Sequence, residues 1–502
     1  MSEGRNEGGQ VRTRRAALIA GPALFFIILL LPRPGDIAPE AHATLAMAAW
    51  MAAWWLTVAV PLAVTALIPL VLLPGLGVSS PTEAAAPYAN PVIFLFMGGF
   101  FIAAAMQRWA LHRRLALAIV ARTGTSPRRL VAGFMLASAV LSMWMSNTAA
   151  TLMMMPIGIA VLSLLLDTSQ SRREEEEPDA HHQNLGVALM LGIAYAGSIG
   201  GVATLIGTPP NAVLAAMADE LLGVEVSFAR WLAIGLPVSL AMFALCWFLL
   251  CHLLFRLPGG PLAGAARVIS GERAKLGRWH PAERVIALVF ALAAFAWVFR
   301  APKVIGDVVF PGLQSLFPSI GDSTIAIAAA LILFLWPTHD RSGSATRVLD
   351  WTHARQIPWD ILVLFGGGLS LAAAFESSGL TTWLGGELAI FSGLPDLLIV
   401  AAVAATFVFV TEVTSNTATA TLGLPVMAAL GPSVGVDSLA LMTAAAMGSS
   451  MAFMLPVATP PNAIVFGTGY IEAAEMRRAG FWLNLVAIVV ISVAVSWAFG
   501  VA

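Results

Sequence analysis

Two short runs carry the side chains best suited to chemistry in this chain: Ser146-Asn147-Thr148 and Ser415-Asn416-Thr417. Each is followed by a second polar run, Thr208-Pro209-Pro210-Asn211 after the first and Thr459-Pro460-Pro461-Asn462 after the second. Hydroxyl and carboxamide oxygens, with backbone carbonyls freed by proline, suit hard monovalent cations, and the helix N-termini that such runs begin attract anions. One Ser-Asn-Thr alone reads as an ordinary helix cap. The same triplet twice, each time followed by Thr-Pro-Pro-Asn, points to a built binding site. No His lies in any of these segments, so a nucleophile with its base, or a metal cluster, is missing and the chain does not read as an enzyme.

The elements that must position these runs follow from composition. The 502 residues are 59% hydrophobic and 11% charged, with a mean hydropathy of +0.85. A soluble domain is nearer 25% charged, so an ordinary soluble enzyme is excluded. A net charge of -1 without a basic domain excludes nucleic-acid binding, and the apolar content excludes disorder. The apolar runs are continuous, which rules out a β-barrel and leaves an all-α polytopic membrane protein. Candidate spans are 16–31, 43–74, 91–107, 185–218, 230–255, 281–299, 323–337, 357–375, 438–470 and 480–500. The basic start followed by 16–31 imitates a signal peptide, but no convincing small-residue cleavage site follows, so a retained first span is expected. Cys246 and Cys251 share one apolar run and read as buried, inert thiols.

With the N-terminus cytoplasmic, all but four of the 27 Lys and Arg residues fall on the inside; the exceptions are Arg33, Arg230, Arg300 and Lys303. The C-terminus is then extracytoplasmic, and 43–74 must cross twice, with Pro61 and Pro69 allowing a break. About eleven transmembrane helices result, plus two re-entrant helical hairpins at 130–166 and 394–430. Residues 108–122 mix basic and apolar positions as an interfacial helix does, and 377–391 take the matching place later.

The chain repeats itself. Residues 94–156 align without a gap on 363–425: Phe96 on Phe365, Gly98 on Gly367, Ser146-Asn147-Thr148 on Ser415-Asn416-Thr417, Pro156 on Pro425. The first hairpin enters from the basic side and the second from the opposite one, so the repeat is inverted, with a substrate expected at its interface near the midplane. The domain reading is 1–42 as a first span, 43–256 as the first repeat, 257–280 as a cytoplasmic linker and 281–502 as the second repeat.

As one helix, the 37 residues of 130–166 would run about 55 Å against a hydrocarbon core of about 30 Å, so the helix must break. Asn147 and Thr148 are poor helix-interior residues and good N-caps, which places the turn at the triplet. The same holds for 394–430, and in 185–218 and 438–470 the break falls at Thr-Pro-Pro-Asn. No Lys or Arg occurs from 130 to 171, from 174 to 229 or from 356 to 476. An anion bound there has no cationic side chain to pair with, and burying it uncompensated is prohibitive. Bound cations would supply the missing charge, which makes Na+ coupling a physical requirement.

Other candidates have plainer readings. Glu412, inside a hairpin arm, is either a functional carboxylate or a satisfied structural one. Glu174–Glu177 with His181 and His182 resembles a metal tract but reads as a solvated loop. His339 and Asp340 read as surface, and Gly197/Gly201 as close helix packing.

The doubled Ser-Asn-Thr and Thr-Pro-Pro-Asn pattern resembles that of the divalent anion/sodium symporter family, over about residues 45 to 500. The resemblance implies a homodimer of eleven-helix protomers, each with a scaffold domain and a transport domain that slides as an elevator. It implies a first Na+ site of Ser142, Ser146, Asn147 and the backbone at Gly207. A second would use Thr411, Thr414, Asn416 and the backbone at Ala458. Substrate carboxylates would meet Ser146, Asn147 and Thr148 on one side, and Ser415, Asn416, Thr417, Thr208 and Pro460 on the other. Thr414 stands where many relatives carry alanine. Family exchangers that work without Na+ tend to place basic groups near these positions, and this chain places none.

The expected function is Na+-coupled symport of a divalent anion, a C4-dicarboxylate such as succinate, malate or fumarate. The alternatives are a Na+-independent anion exchanger of the same fold, or sulfate or citrate as substrate. A cation/proton antiporter would want an ionisable relay, for which only Glu412 is available. The expected partners are Na+, the anion, a lipid bilayer and a second copy of the chain; the expected location is a bacterial inner membrane.

Overall fold

The computed structural model describes residues 3–170, 180–257, 259–260, 262, 264–305 and 308–501. The loop 171–179, with Glu174–Glu177, lies outside them, as do the side chains of His181 and His182. The described chain is helical apart from two short antiparallel ribbons. These are β1 (Lys303–Ile305) with β2 (Val308–Phe310), and β3 (Pro337–His339) with β4 (Ala345–Arg347). Among the described residues, seven helices are long and apolar enough to cross a membrane. An eighth span results if Leu380–Phe391 and Asp396–Val410, bent by 114° to each other, are taken together.

The first half opens with α1 (Glu3–Leu30) packed on α2 (Pro39–Thr57). The segment 43–74 is broken as its prolines suggest. After α2 the chain turns at Val58, in the left-handed region at φ 47°, and resumes as α3 (Leu62–Thr65) behind Pro61 and α4 (Ile68–Gly75), which has Pro69 in its first turn. The short α5 (Pro81–Ala85) leads to α6 (Pro91–Arg108). Next comes α7 (Leu111–Thr123), the mixed basic and apolar helix expected at 108–122.

The first hairpin is α8 (Pro127–Ser142) and α9 (Asn147–Gln170). The broken helix is α10 (Ala180–Val202) and α11 (Pro209–Leu222), followed by α12 (Phe228–Phe248). The linker contains a helix of its own, α13 (Ala265–Lys275), docked on α7 by Arg113 to Glu272. There Lys275 and Arg113 hold the Glu272 carboxyl below the usual carboxylate range.

The second half runs through α14 (Pro281–Val298), α15 (Asp322–Leu335) and the short α16 (Trp351–Ala354) to α17 (Trp359–Ser377) and α18 (Leu380–Leu388). Its hairpin is α19 (Asp396–Val410) and α20 (Asn416–Val434). Its broken helix is α21 (Ser438–Gly448) and α22 (Pro460–Phe466), and α23 (Ala473–Phe499) closes the chain.

The repeat found in the sequence has a physical meeting point. Phe96 of α6 and its counterpart Phe365 of α17 touch edge to face, ring centres 5.2 Å apart. The glycines beside them let backbones close in: a Cβ at Gly98 would sit 2.6 Å from the Ala326 side chain, and one at Gly367 would sit 2.2 Å from the Ala66 carbonyl oxygen. The post-break helices then cross over between halves, α11 packing on α20 and α22 on α9. Each half's hairpin therefore rests against the other half's broken helix.

Candidate functional site

Each hairpin tip is closed by the same hydrogen bond. Ser142 Oγ donates to Asn147 Oδ1 at 2.6 Å; its counterpart Thr411 Oγ1 donates to Asn416 Oδ1 at 2.7 Å. In both cases the donor ends the inbound arm and the acceptor begins the return arm. A hydroxyl that donates here leaves its own lone pairs and the remaining lone pair of the amide oxygen for a cation.

The placement of the caps differs from the sequence expectation. Asn147 and Asn416 are not N-caps but the first helical residues of α9 and α20, with Ser146 and Ser415 in the cap position. The reason is competition: each Asn side chain is already engaged across the tip. Ser146 Oγ is left to accept from Ala149 N at 3.3 Å.

The breaks lie directly behind the tips. In the first, residues 203–208, Thr204 Oγ1 donates to the Met143 carbonyl at 2.5 Å and ties break to tip. Gly201 and Gly207 have no room for a side chain. A Cβ at Gly201 would lie 2.7 Å from Asn147 Oδ1 and 3.1 Å from the Gly207 carbonyl oxygen. Those two oxygens thus converge on one spot, beside the Ser142 hydroxyl, which is three of the four groups expected at the first Na+ site. In the second break, residues 449–459, the Ser449 carbonyl lies 2.9 Å from Thr411 Oγ1 and competes with Asn416 Oδ1 for its single proton.

The last residue of each Thr-Pro-Pro-Asn holds its break in shape. Asn211 Nδ2 donates one N–H to the Thr204 carbonyl (2.7 Å) and the other, bifurcated, to those of Gly201 (3.2 Å) and Val202 (3.3 Å). Asn462 Nδ2 donates to those of Ala452 (3.2 Å) and Leu455 (3.1 Å). Neither was among the expected site residues, although their recurrence at the end of both motifs was the available signal.

The predicted residues sort into two layers by exposure. Ser142, Gly207, Thr411 and Ala458 are buried, whereas Ser146 and Pro460 are exposed and Asn147, Thr148, Ser415 and Asn416 half-buried. Thr208, at 2% exposure, and Thr417, at 9%, lie under that surface. The Thr414 hydroxyl turns back on its own hairpin, donating to the Val410 carbonyl at 2.8 Å and accepting from Thr419 Oγ1 at 2.5 Å.

Glu412 is a satisfied structural carboxylate. It accepts from the backbone N–H groups of Phe453 (2.7 Å), Met454 (2.8 Å) and Leu455 (3.1 Å), and from Asn484 Nδ2 (2.8 Å). Four donors on one buried carboxylate make a staple for an unwound strand, not a proton relay. Among the described residues no cluster of His, Cys, Asp and Glu could hold a metal ion.

Comparison with known proteins gives the family. Residues 12–501 match the family described as the sodium:sulfate symporter transmembrane region. The chain is 43% identical over 475 residues to the sodium-dependent dicarboxylate transporter SdcS of Staphylococcus saprophyticus, covering 94% of this chain and 89% of that one. It is 40% identical over 474 residues to the SdcS protein of Staphylococcus aureus, with the same coverage. The solved Alcanivorax borkumensis YdaH transporter, 17% identical, matches with a TM-score of 0.52 over 83% of this chain and 88% of its own, a likeness of fold. With the motif doubled, the match nearly end to end and the relatives so similar, this chain belongs to the sodium:sulfate symporter family, a family of integral membrane transporters and not of enzymes.

Proposed function

We propose that this protein carries a C4-dicarboxylate across a bacterial inner membrane together with Na+. The observation that carries this reading is the doubled tip: Ser142 on Asn147 and Thr411 on Asn416, each over an unwound break, with no Lys or Arg in the surrounding segments. The named relatives are sodium-dependent dicarboxylate transporters, which fits the same chemistry.

The energetics explain the coupling. A dianion entering a site without cationic side chains keeps an unpaired charge in a low-dielectric medium, at a cost of many kcal/mol. A cation 4 Å from a carboxylate recovers about 4 kcal/mol per pair at an effective dielectric of 20. Na+ at the first tip would use Ser142, Ser146, Asn147 and the Gly207 carbonyl; at the second, Thr411, Thr414, Asn416 and the Ala458 carbonyl. The Thr414 side chain being turned away, its carbonyl is the atom left to serve. With the cations held against the buried ends of the tips, the carboxylates meet the more exposed side chains and, beneath them, Thr208 and Thr417. Ser146, Asn147 and Thr148 receive one, and Ser415, Asn416, Thr417, Thr208 and the N-terminal end at Pro460 receive the other. Amides and hydroxyls orient as donors to the anion while their oxygens face the ion beneath, so each Asn serves both ligands and neither binds well alone.

The remaining parts of the reading follow the same frame. The repeat is inverted about an axis near Phe96 and Phe365, with about eleven crossings and two re-entrant hairpins. The N-terminus is cytoplasmic and the C-terminus extracytoplasmic. The hairpins and broken helices move as a transport domain against a scaffold that carries the contact between two copies.

The test is uptake of labelled succinate by proteoliposomes under inward Na+ or inward K+ gradients. Uptake in the Na+ gradient alone is expected. Uptake that ignores Na+ and needs internal dicarboxylate would make the protein an exchanger. Competition by unlabelled malate and fumarate but not sulfate is expected; the reverse would move the substrate to sulfate.

A further inference from the structure

One helical turn behind the first tip stand two hydroxyls that nothing so far uses. Ser138 lies four residues before Ser142 on α8, and Thr151 four residues after Asn147 on α9. Residues four apart share a helix face, and the two arms run back together from a tip where Ser142 and Asn147 touch. Ser138 and Thr151 are therefore level with each other, one turn deeper in the hairpin. Both are fully buried, and neither hydroxyl has a hydrogen-bond partner among the described residues. An unsatisfied buried hydroxyl costs about 1–3 kcal/mol, so two in one place call for an occupant. The facing helix α10 comes close at that height, with a glycine where a side chain would crowd the hydroxyl. A Cβ at Gly197 would lie 3.3 Å from Thr151 Oγ1 and 3.7 Å from the Asn147 carbonyl oxygen.

The second half has the same architecture and no such feature. The counterparts of Ser138, Thr151 and Gly197 are Phe407, Ala420 and Gly448. The Phe407 Cβ comes within 3.1 Å of where a Cβ at Gly448 would stand. Its ring lies against Gly423, whose own Cβ position would be 2.2 Å from the ring. The Phe407 ring fills the space beside Gly423 in the second half; in the first half the matching pair is Ser138 and the buried Met154, so the aromatic ring is replaced by a hydroxyl and a thioether.

We infer that Ser138 Oγ, Thr151 Oγ1 and the Asn147 carbonyl form an additional cation position, present in the first half only and suited to Na+. Neutral oxygens without a carboxylate fit a hard monovalent ion better than a divalent one, with water completing the shell. The position rests on the reading that the tip above it takes Na+. It offers the ion a resting place one turn further along the hairpin, sharing Asn147 with the tip.

The experiment uses the purified full-length chain, with Thr151→Val, Ser138→Ala and Thr151→Ser as variants. Two readouts are taken: Na+ activation of succinate uptake, with K+ making up the ionic strength, and thermal unfolding in Na+ or in K+. Loss of one oxygen ligand, worth about 1 kcal/mol, should raise half-activating Na+ about fivefold for Thr151→Val and for Ser138→Ala. The Hill coefficient should fall, and the KM for succinate at saturating Na+ should stay unchanged. Thr151→Ser should behave as the parent. In unfolding, Thr151→Val should match or exceed the parent in K+, having lost an orphan hydroxyl, yet gain less from Na+. Na+ activation curves that superimpose on the parent's, or a stability change equal in Na+ and K+, would overturn the inference and leave water or packing as the role of these hydroxyls. A parent protein that ignores Na+ would instead sink the symport reading itself.

Discussion

The two halves repeat the hydrogen-bonded pair at the hairpin tip and not the structure that supports it. In the first half the break spans residues 203–208, and glycine closes it: Gly201 and Gly207 meet backbone to backbone, with Thr204 tied to Met143. In the second half the break spans residues 449–459, five residues longer, and it is closed by a carboxylate. The Glu412 side chain collects three consecutive backbone N–H groups there, and its counterpart in the first half is Met143, which has no such strand to hold. The position matching Gly201 is Ala452, buried and accommodated. What recurs is thus what both halves must do, and what differs is how each break pairs its backbone. An acidic residue at membrane depth invites a reading as a proton relay; set beside the other half, Glu412 is the answer to a longer unwound strand.

The comparison can be broken most severely at the shared element. Asn147→Ala and Asn416→Ala each remove the acceptor of the tip hydrogen bond, the oxygen proposed to face the ion, together with the amide proposed to face the anion. Both should reduce Na+-driven uptake by about a hundredfold or more, the upper end of the range for a metal-site partner. An effect confined to one of them would show that the halves are not equivalent in function.

Next in size is Glu412→Ala. Leaving N–H groups unsatisfied costs about 1–3 kcal/mol each, so the unfolding temperature should fall by several degrees, whereas Met143→Ala should cost only about 1 kcal/mol. Uptake by the folded Glu412 variant should keep the parent's pH profile. A lost pH dependence without lost stability would restore the relay reading.

Gly201→Ala sharpens the contrast at an intermediate level. Its Cβ would press on Asn147 Oδ1 and the Gly207 carbonyl, so half-activating Na+ should rise about tenfold, as for a disturbed ligand shell. Ala452→Gly, at the matching position, should stay within about twofold, the mild cost of extra backbone freedom. The smallest effects belong to the side chains that face away or keep their group. Thr414→Ala and Thr411→Ser should each leave half-activating Na+ within about twofold, under 0.5 kcal/mol. A large effect of Thr414→Ala would mean that its hydroxyl turns toward the ion when Na+ binds.

Much of this organisation was legible in the residues. The breaks follow from lengths that no straight helix could fit and from prolines at Pro61, Pro209 and Pro460, which change the backbone wherever they stand. The paired tips follow from repetition, because two copies of Ser-Asn-Thr at a constant offset discount chance. Three features were not legible, each for a physical reason. The caps fell one residue earlier than expected because the Asn side chains are claimed by a partner five residues away across a turn. The role of Glu412 depends on backbone N–H groups 41 to 43 residues downstream, and one side chain carries no sign of that. The ribbon of β3 and β4 forms where Pro337 ends α15 and Asp340 gathers Ser342 and Ser344 into a turn, a local event beneath the resolution of a hydropathy pattern.

The central claim is that the anion has no cation of the protein's own to meet and must find Na+ there. It is tested most directly by titrating succinate into the purified protein at stepped Na+ concentrations, with K+ as replacement. The account predicts no measurable succinate binding in K+, a dissociation constant that falls steeply as Na+ rises, and an equal strengthening of Na+ binding by succinate, as linkage demands. A succinate affinity that is the same in K+ and in Na+ would contradict it.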